Sequence, residues 1–440
     1  MKRWIRTVAA ACLAMASMGA AAADVPARPG VDAPELAALG FYPIGVTDMT
    51  LVQPGQLYPL PDGSEPVAAD RRLMVKIWYP AGATGTGTTY HTALPGEHGQ
   101  PVAFDVPGLA TRGLPAAKGR FPLVVLAHGA SNTPEVMSWL GENLASKGYV
   151  VVAPAFADPA ISLRTLASLA GPLARRPLDI AFVAAEAQRL ARAGKGPLAA
   201  ADPERTALIG YSMGGYGVLA AAGGRLAPQL APATRGVLTP FVSGGARAGE
   251  LKVANLKAVV SISPPRALRD LPLWADGGMT AITAPTLFIV GSQDHVVGYD
   301  PGVRTLFRET AHTRRYLLTF REAAHSIALI GAPPGMTNTF WDKDWFEDGV
   351  WRKDRLIAVQ SHFITAFLDR YVKGDVAKAA YIDGLTTDSD MGMWAAAPAG
   401  RYAGYSPGAP ASTIWKGFQP SKRAGMSFEV LSPASGRESE

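Results

Sequence analysis

Cysteine is almost absent. The 440-residue chain contains one, Cys12, which excludes an intramolecular disulfide and a multi-thiolate metal site. Cys12 lies inside a leader-like N-terminus, so the chain beyond it has no thiol nucleophile. Charge is also sparse, at 18% of residues. The basic residues are scattered, with no run of five or more, which excludes a nucleic-acid footprint. Past the N-terminus no segment offers the roughly 20 apolar residues of a membrane span. There is no internal repeat and no low-complexity tract.

Hydrophobic residues make up 48% of the chain, with 47 glycines and 36 prolines. That composition predicts a large core crossed by many turns. The length suits one large domain with additions, or two domains.

Residues 1–23 read as a processing signal. Lys2, Arg3 and Arg6 form a basic start, residues 8–16 an apolar stretch, and Ala21-Ala22-Ala23 a small-residue cleavage site before Asp24. A periplasmic or secreted protein is expected, with no stable membrane span after cleavage. Residues 24–120 read as a β-rich lead-in joined to the main sheet, 121–375 as the core, and 376–440 as a C-terminal appendage.

From residue 121 the periodicity changes. Phe121-Pro122-Leu123-Val124-Val125-Leu126-Ala127 is a continuous apolar run, as a strand buried on both faces requires. Similar runs lie at 149–154, 206–210, 256–263, 286–290 and 315–320. Helical patterns separate them, at 135–147, 179–193, 213–222 and 354–372. This alternation predicts an α/β fold with a doubly wound, mostly parallel sheet covered by helices on both faces. In such sheets sites form at the carboxyl ends of strands.

Gly210-Tyr211-Ser212-Met213-Gly214 matches the G-x-S-x-G pattern, directly after a predicted strand and before a predicted helix. The glycines permit a sharp strand-to-helix turn that lifts the Ser212 hydroxyl clear of the sheet. A serine nucleophile needs a base, and the base an orienting acid. Asp294 and His325 follow the fifth and sixth apolar runs, in the chain order that this elbow requires. Asp294 is therefore assigned as orienter and His325 as general base and acid, with Asp158 as the alternative acid. His295 reads as shaping its loop, and His312 and His362 as surface or packing residues. For the oxyanion hole the N–H of Met213 is one donor. The loop His128-Gly129-Ala130-Ser131 offers the second, assigned to Ala130 with Gly129 or Ser131 as alternatives. His128 is read as loop support.

These stretches resemble α/β-hydrolases of the dienelactone hydrolase superfamily. The resemblance is carried by Val75-Lys76-Ile77-Trp78-Tyr79-Pro80, Leu126-Ala127-His128-Gly129, the serine box, and Pro285-Thr286-Leu287-Phe288-Ile289-Val290-Gly291. It is nearest to the bacterial branch related to platelet-activating-factor acetylhydrolases. It implies the α/β-hydrolase fold and serine hydrolase chemistry. Dienelactone hydrolases proper place a cysteine where this chain has Ser212, so the family name does not carry the activity.

Two insertions interrupt the pattern. Residues 224–255 have lid-like composition, or pack on the core as a surface excursion. Residues 331–351 hold Phe340, Trp341 and Trp345, which are read as an apolar substrate pocket beside His325. No cofactor is expected. The acidic residues Asp342, Asp344 and Asp348 lack calcium-loop spacing, and no metal is assigned. The expected activity is hydrolysis of a small-molecule carboxylic ester with a short acyl chain, through an acyl-enzyme. Amide hydrolysis, acyl transfer and a catalytically silent binding protein remain open. Neither the ester nor the oligomeric state is legible.

Overall fold

The structure is a computed structural model and describes residues 28–60, 62, 64–159, 165–391, 415–419 and 422–434. The leader expected over residues 1–23 lies outside them.

The first strands form a long antiparallel hairpin, β1 (Ile44–Tyr58) and β2 (Val67–Pro80). A separate hairpin follows, β3 (Thr89–Pro95) and β4 (Pro101–Pro107). The short β5 (Thr111–Arg112) then returns beside β1. The alternating part begins with β6 (Phe121–Ala127), α1 (Ser138–Ser146), β7 (Val150–Pro154), α2 (Leu166–Arg192), β8 (Ala201–Tyr211) and α3 (Met213–Ala221). After the one-turn α4 (Leu230–Ala233) come β9 (Leu256–Ile262), the small hairpin β10 (Ala267–Leu268) and β11 (Leu271–Pro272), then β12 (Thr286–Gly291). The chain continues through α5 (Arg304–Glu309), β13 (Arg315–Phe320), α6 (Phe340–Phe346), α7 (Lys353–Tyr371) and β14 (Met426–Leu431).

Among the described residues, ten strands form one sheet in the order β14-β13-β12-β9-β8-β6-β7-β2-β1-β5. The central strands β7 to β13 pair in parallel. Successive side chains of a strand point to opposite faces. In β6, Val124 and Leu126 join one core cluster, and Leu123, Val125 and Ala127 the other. Both faces are covered, which explains why these strands read as unbroken apolar runs. Leu140 and Leu144 of α1 and Phe363 of α7 pack on the first face. Ile180 of α2 and Leu219 of α3 pack on the second.

The order places the site. The chain leaves β6 for β7 on one side, then crosses back to β8 on the other side of β6. Loops that follow β6 and β8 therefore emerge side by side, where Ala127 pairs with Gly210. Such a reversal opens a crevice at the strands' carboxyl ends.

Two segments differ from expectation, and a third follows one of its two expected courses. The helix expected over 179–193 begins at Leu166, where Thr165 and Ser168 form a reciprocal cap, and runs through Pro172 and Pro177. Residues 224–255 take the second of their two expected courses and pack on the core, lining none of the cavity over Ser212. Their Leu226, Leu230, Leu238 and Val242 are buried in the second core cluster. The described residues of 376–440 do more than append: β14 pairs antiparallel with β13, and Trp415 and Phe418 are buried against Phe363.

Candidate active site

Ser212 stands between β8 and α3 with φ 53° and ψ −117°, a strained conformation for a residue with a β-carbon. The turn is tight enough to require its glycines. A Cβ on Gly210 would lie 2.2 Å from the Gly214 carbonyl oxygen, and one on Gly214 would lie 2.2 Å from that of Ala127. Met213 begins α3, so its N–H has no intrahelical acceptor and sits at the positive end of the helix dipole.

His325 follows β13 and Asp294 follows β12. The two loops are joined by the Gln293 N–H, which donates to the Ala323 carbonyl at 2.9 Å. His325 Nδ1 lies 2.8 Å from Asp294 Oδ2, and His325 Nε2 lies 3.0 Å from Ser212 Oγ. An ionised carboxylate only accepts, so Nδ1 carries the proton and the Nε2 lone pair faces the serine hydroxyl. The other Asp294 oxygen accepts the Val296 and Val297 N–H groups at 3.0 and 3.1 Å. Burial opposes ionisation of Asp294, but the neighbouring His325 and these donors outweigh it and hold its pKa below the ordinary value of 3.8. Tyr211 donates its hydroxyl to the His325 carbonyl at 3.1 Å and lays its ring 5.2 Å from the imidazole.

The rival residues are engaged elsewhere. Asp158 binds Arg176 and the Ser131 N–H. That bond also removes Ser131 as an oxyanion donor. His128 Nε2 accepts the Phe156 N–H at 3.1 Å, so its Nδ1–H donates to the Gly129 carbonyl at 2.7 Å. Burial, with the Arg176 charge behind it, pushes the His128 pKa down to about 3, which keeps the ring neutral. His362 is buried and accepts the Leu36 N–H, His312 is exposed, and His295 is exposed at the pocket mouth.

A cavity of about 290 Å³ opens over Ser212 and His325. Ala130, Asn132, Tyr211, Val296, Trp341 and Trp345 line it. The two indoles stack at 6.4 Å, and Trp345 Nε1–H donates to Asn132 Oδ1 at 3.3 Å. Asn132 also donates to the Ala130 carbonyl at 3.2 Å, so one side chain joins the aromatic wall to the loop after β6. Phe340, expected in the pocket, is 86% exposed and lines none of it. It precedes Trp341 on α6, and one helical step of about 100° turns it to solvent. Asn132, Tyr211 and Val296 were not read from the sequence as pocket residues, although each lies within two positions of a residue assigned to the triad or the oxyanion hole. Among the described residues no cluster of three or more His, Cys, Asp or Glu is placed to hold a metal ion, and no helix is long and apolar enough to cross a membrane.

The chlorophyllase family profile matches residues 109–238, the stretch that carries the loop after β6 and the Ser212 turn. Asp294 and His325 lie beyond it. No curated protein matches the sequence. Among solved structures, 716 chains match. One is a ferulic acid esterase from Streptomyces cinnamoneus, at 19% identity and a TM-score of 0.50 over 78% of this chain and 94% of that one. The chain has the α/β-hydrolase fold.

Proposed function

We propose that the protein is a serine carboxylic ester hydrolase. The observation that carries the reading is the unbroken relay Ser212 Oγ to His325 to Asp294, at 3.0 and 2.8 Å, at the floor of an open cavity. His325 takes the Ser212 proton as Oγ attacks the ester carbonyl. Asp294 holds the tautomer and stabilises the imidazolium. The Met213 and Ala130 N–H groups receive the developing oxyanion. The proton passes from His325 to the leaving alcohol. Water, activated by His325, then releases the acyl group from Ser212. No step calls for a cofactor.

The cavity is at the small end of ligand pockets, about 300–1,000 Å³, which favours a compact acyl or alcohol group against Trp341 and Trp345. The chlorophyllase match and the esterase neighbour support ester over amide chemistry. The serine box and the His128-Gly129 loop support a place within the dienelactone hydrolase superfamily. Residues 1–23 support export to the periplasm or beyond.

A fluorophosphonate probe tests the reading. Labelling at Ser212, together with hydrolysis across a panel of p-nitrophenyl esters of graded acyl length, is expected. Failure of the intact protein to be labelled would leave a silent scaffold. Transfer of the acyl group to added alcohols or amines in preference to water would make it an acyltransferase.

A further inference from the structure

The loop that carries Ala130 rests on a buried ion pair to which the reaction assigns no chemistry. Arg176, midway along α2, and Asp158, after β7, expose 1% and 4% of their side chains. Arg176 Nη2 lies 2.6 Å from Asp158 Oδ2 and 3.4 Å from the Gly129 carbonyl oxygen. The same Asp158 oxygen accepts the Ser131 N–H at 3.0 Å. Ser131 holds φ at 54°, a left-handed conformation that its surroundings must enforce. The guanidinium lies 3.8 Å over the Phe156 ring, which fixes its plane.

These contacts fix the peptide between Gly129 and Ala130. Its oxygen faces Arg176 and the His128 Nδ1–H. A trans peptide sets its N–H opposite its carbonyl, so the Ala130 N–H is turned away from the ion pair. Gly129 packs directly against Ser212, where an added Cβ would meet the Ser212 Cβ at 3.3 Å, and Ala130 lines the Ser212 cavity. A buried ion pair is weak evidence for stability, because desolvation offsets its attraction. Its directional bonds to both flanks of Ala130 give it another use.

We propose that Arg176, through Asp158 and the Gly129 carbonyl, is a positioning residue that aims the Ala130 N–H at the oxyanion. The proposal rests on the ester hydrolase reading above.

Two variants test it. Arg176→Lys keeps the charge but replaces the planar fork with a single ammonium. The double variant Arg176→Met with Asp158→Asn removes both charges and leaves neither stranded. The readouts are kcat and KM on p-nitrophenyl butyrate, affinity for phenylboronic acid as a tetrahedral adduct on Ser212, and thermal unfolding. In both variants kcat is expected to fall about 10- to 100-fold, less than the roughly 10²–10³ of losing a donor outright. KM should stay within about twofold, and boronate affinity should fall in parallel with kcat. A lower melting temperature with unchanged kcat at 25 °C would make the pair merely structural and overturn the proposal. A loss of kcat with boronate affinity intact would overturn it too. An intact protein that neither hydrolyses esters nor takes the fluorophosphonate would instead overturn the underlying reading, and the proposal with it.

Discussion

Asp348 Oδ2 accepts the Ala324 N–H at 2.7 Å. Its other oxygen accepts the Val350 and Trp351 N–H groups, and Lys353 donates to the Ser326 carbonyl. Residues 324 and 326 flank His325. The segment that brings Trp341 and Trp345 to the cavity is therefore fastened to the loop that carries His325.

Replacing Asp348 with alanine removes the acceptor of three N–H donors, of which those of Ala324 and Trp351 are part-buried. Where they stay buried, each costs about 1–3 kcal/mol. Chemical denaturation of Asp348→Ala should show a loss in that range or above. Its kcat on p-nitrophenyl butyrate should fall about tenfold as the His325 loop loosens. Asp348→Asn keeps one acceptor oxygen but sets an NH2 against the donors of the other, so it should recover only part of both.

Asp294→Asn tests the orienter. An amide can donate to Nδ1 and so favours the wrong imidazole tautomer. Turnover should fall by about 10⁴, with KM little changed. The carboxylate also links stability to pH. Its folded pKa lies below the ordinary 3.8, so its contribution is present above that value and is lost as pH falls through the folded pKa. Melting temperatures of wild type and Asp294→Asn, compared between pH 6 and pH 3, should converge toward acid.

The aromatic wall should govern substrate size. Removing an indole that contacts the acyl or alcohol group costs about 1.5–3 kcal/mol, or roughly 10- to 100-fold in KM. Trp345→Ala should show this on butyrate and longer or aromatic esters, and much less on acetate. Phe340→Ala, which alters an outward-facing ring, should leave KM unchanged on all of them.

Lys147 is a buried cation far from the chemistry. It donates to the Leu36 carbonyl, Asn143 Oδ1 and Thr365 Oγ1. Burial lowers its pKa from 10.5 to about 7; Lys373 and Lys378 add to the shift, and Asp369 opposes it. Between pH 7 and 10.5 the unfolded chain holds more protons at this site than the folded one, so its contribution to stability rises with pH across that window. The difference in melting temperature between wild type and Lys147→Met should shift in favour of wild type from pH 7 to pH 9. A gap that stays constant would contradict the shift.

The legible parts of the molecule were those written locally. The run 121–127 announced a strand covered on both faces, because every residue in it is buried. The Ser212 turn was legible because sterics demand its glycines within a few residues. Asp294 and His325 could be found because each follows an apolar run directly. What stayed hidden depends on distant chain. The strand Met426–Leu431 pairs with one that ends more than a hundred residues earlier, and it buries mainly Met426 and Phe428. The first half of α2 was obscured by Pro172 and Pro177, which ordinarily mark helix ends. That is the half that carries Arg176, so its contacts to Asp158 and the Gly129 carbonyl were invisible until the helix was seen to continue. Trp341 and Trp345 could be named from composition near His325. The outward turn of Phe340 required the register of α6.

The most direct measurement is p-nitrophenyl butyrate hydrolysis by the purified protein and by Ser212→Ala, with thermal unfolding followed in parallel. Loss of the Oγ that faces His325 should lower kcat at least about 10³-fold, since removing a triad nucleophile can cost as much as about 10⁶. The melting temperature should hold, because strain at the turn is kept and no core contact is lost. Equal turnover by the two proteins would contradict the assignment of Ser212 as the nucleophile.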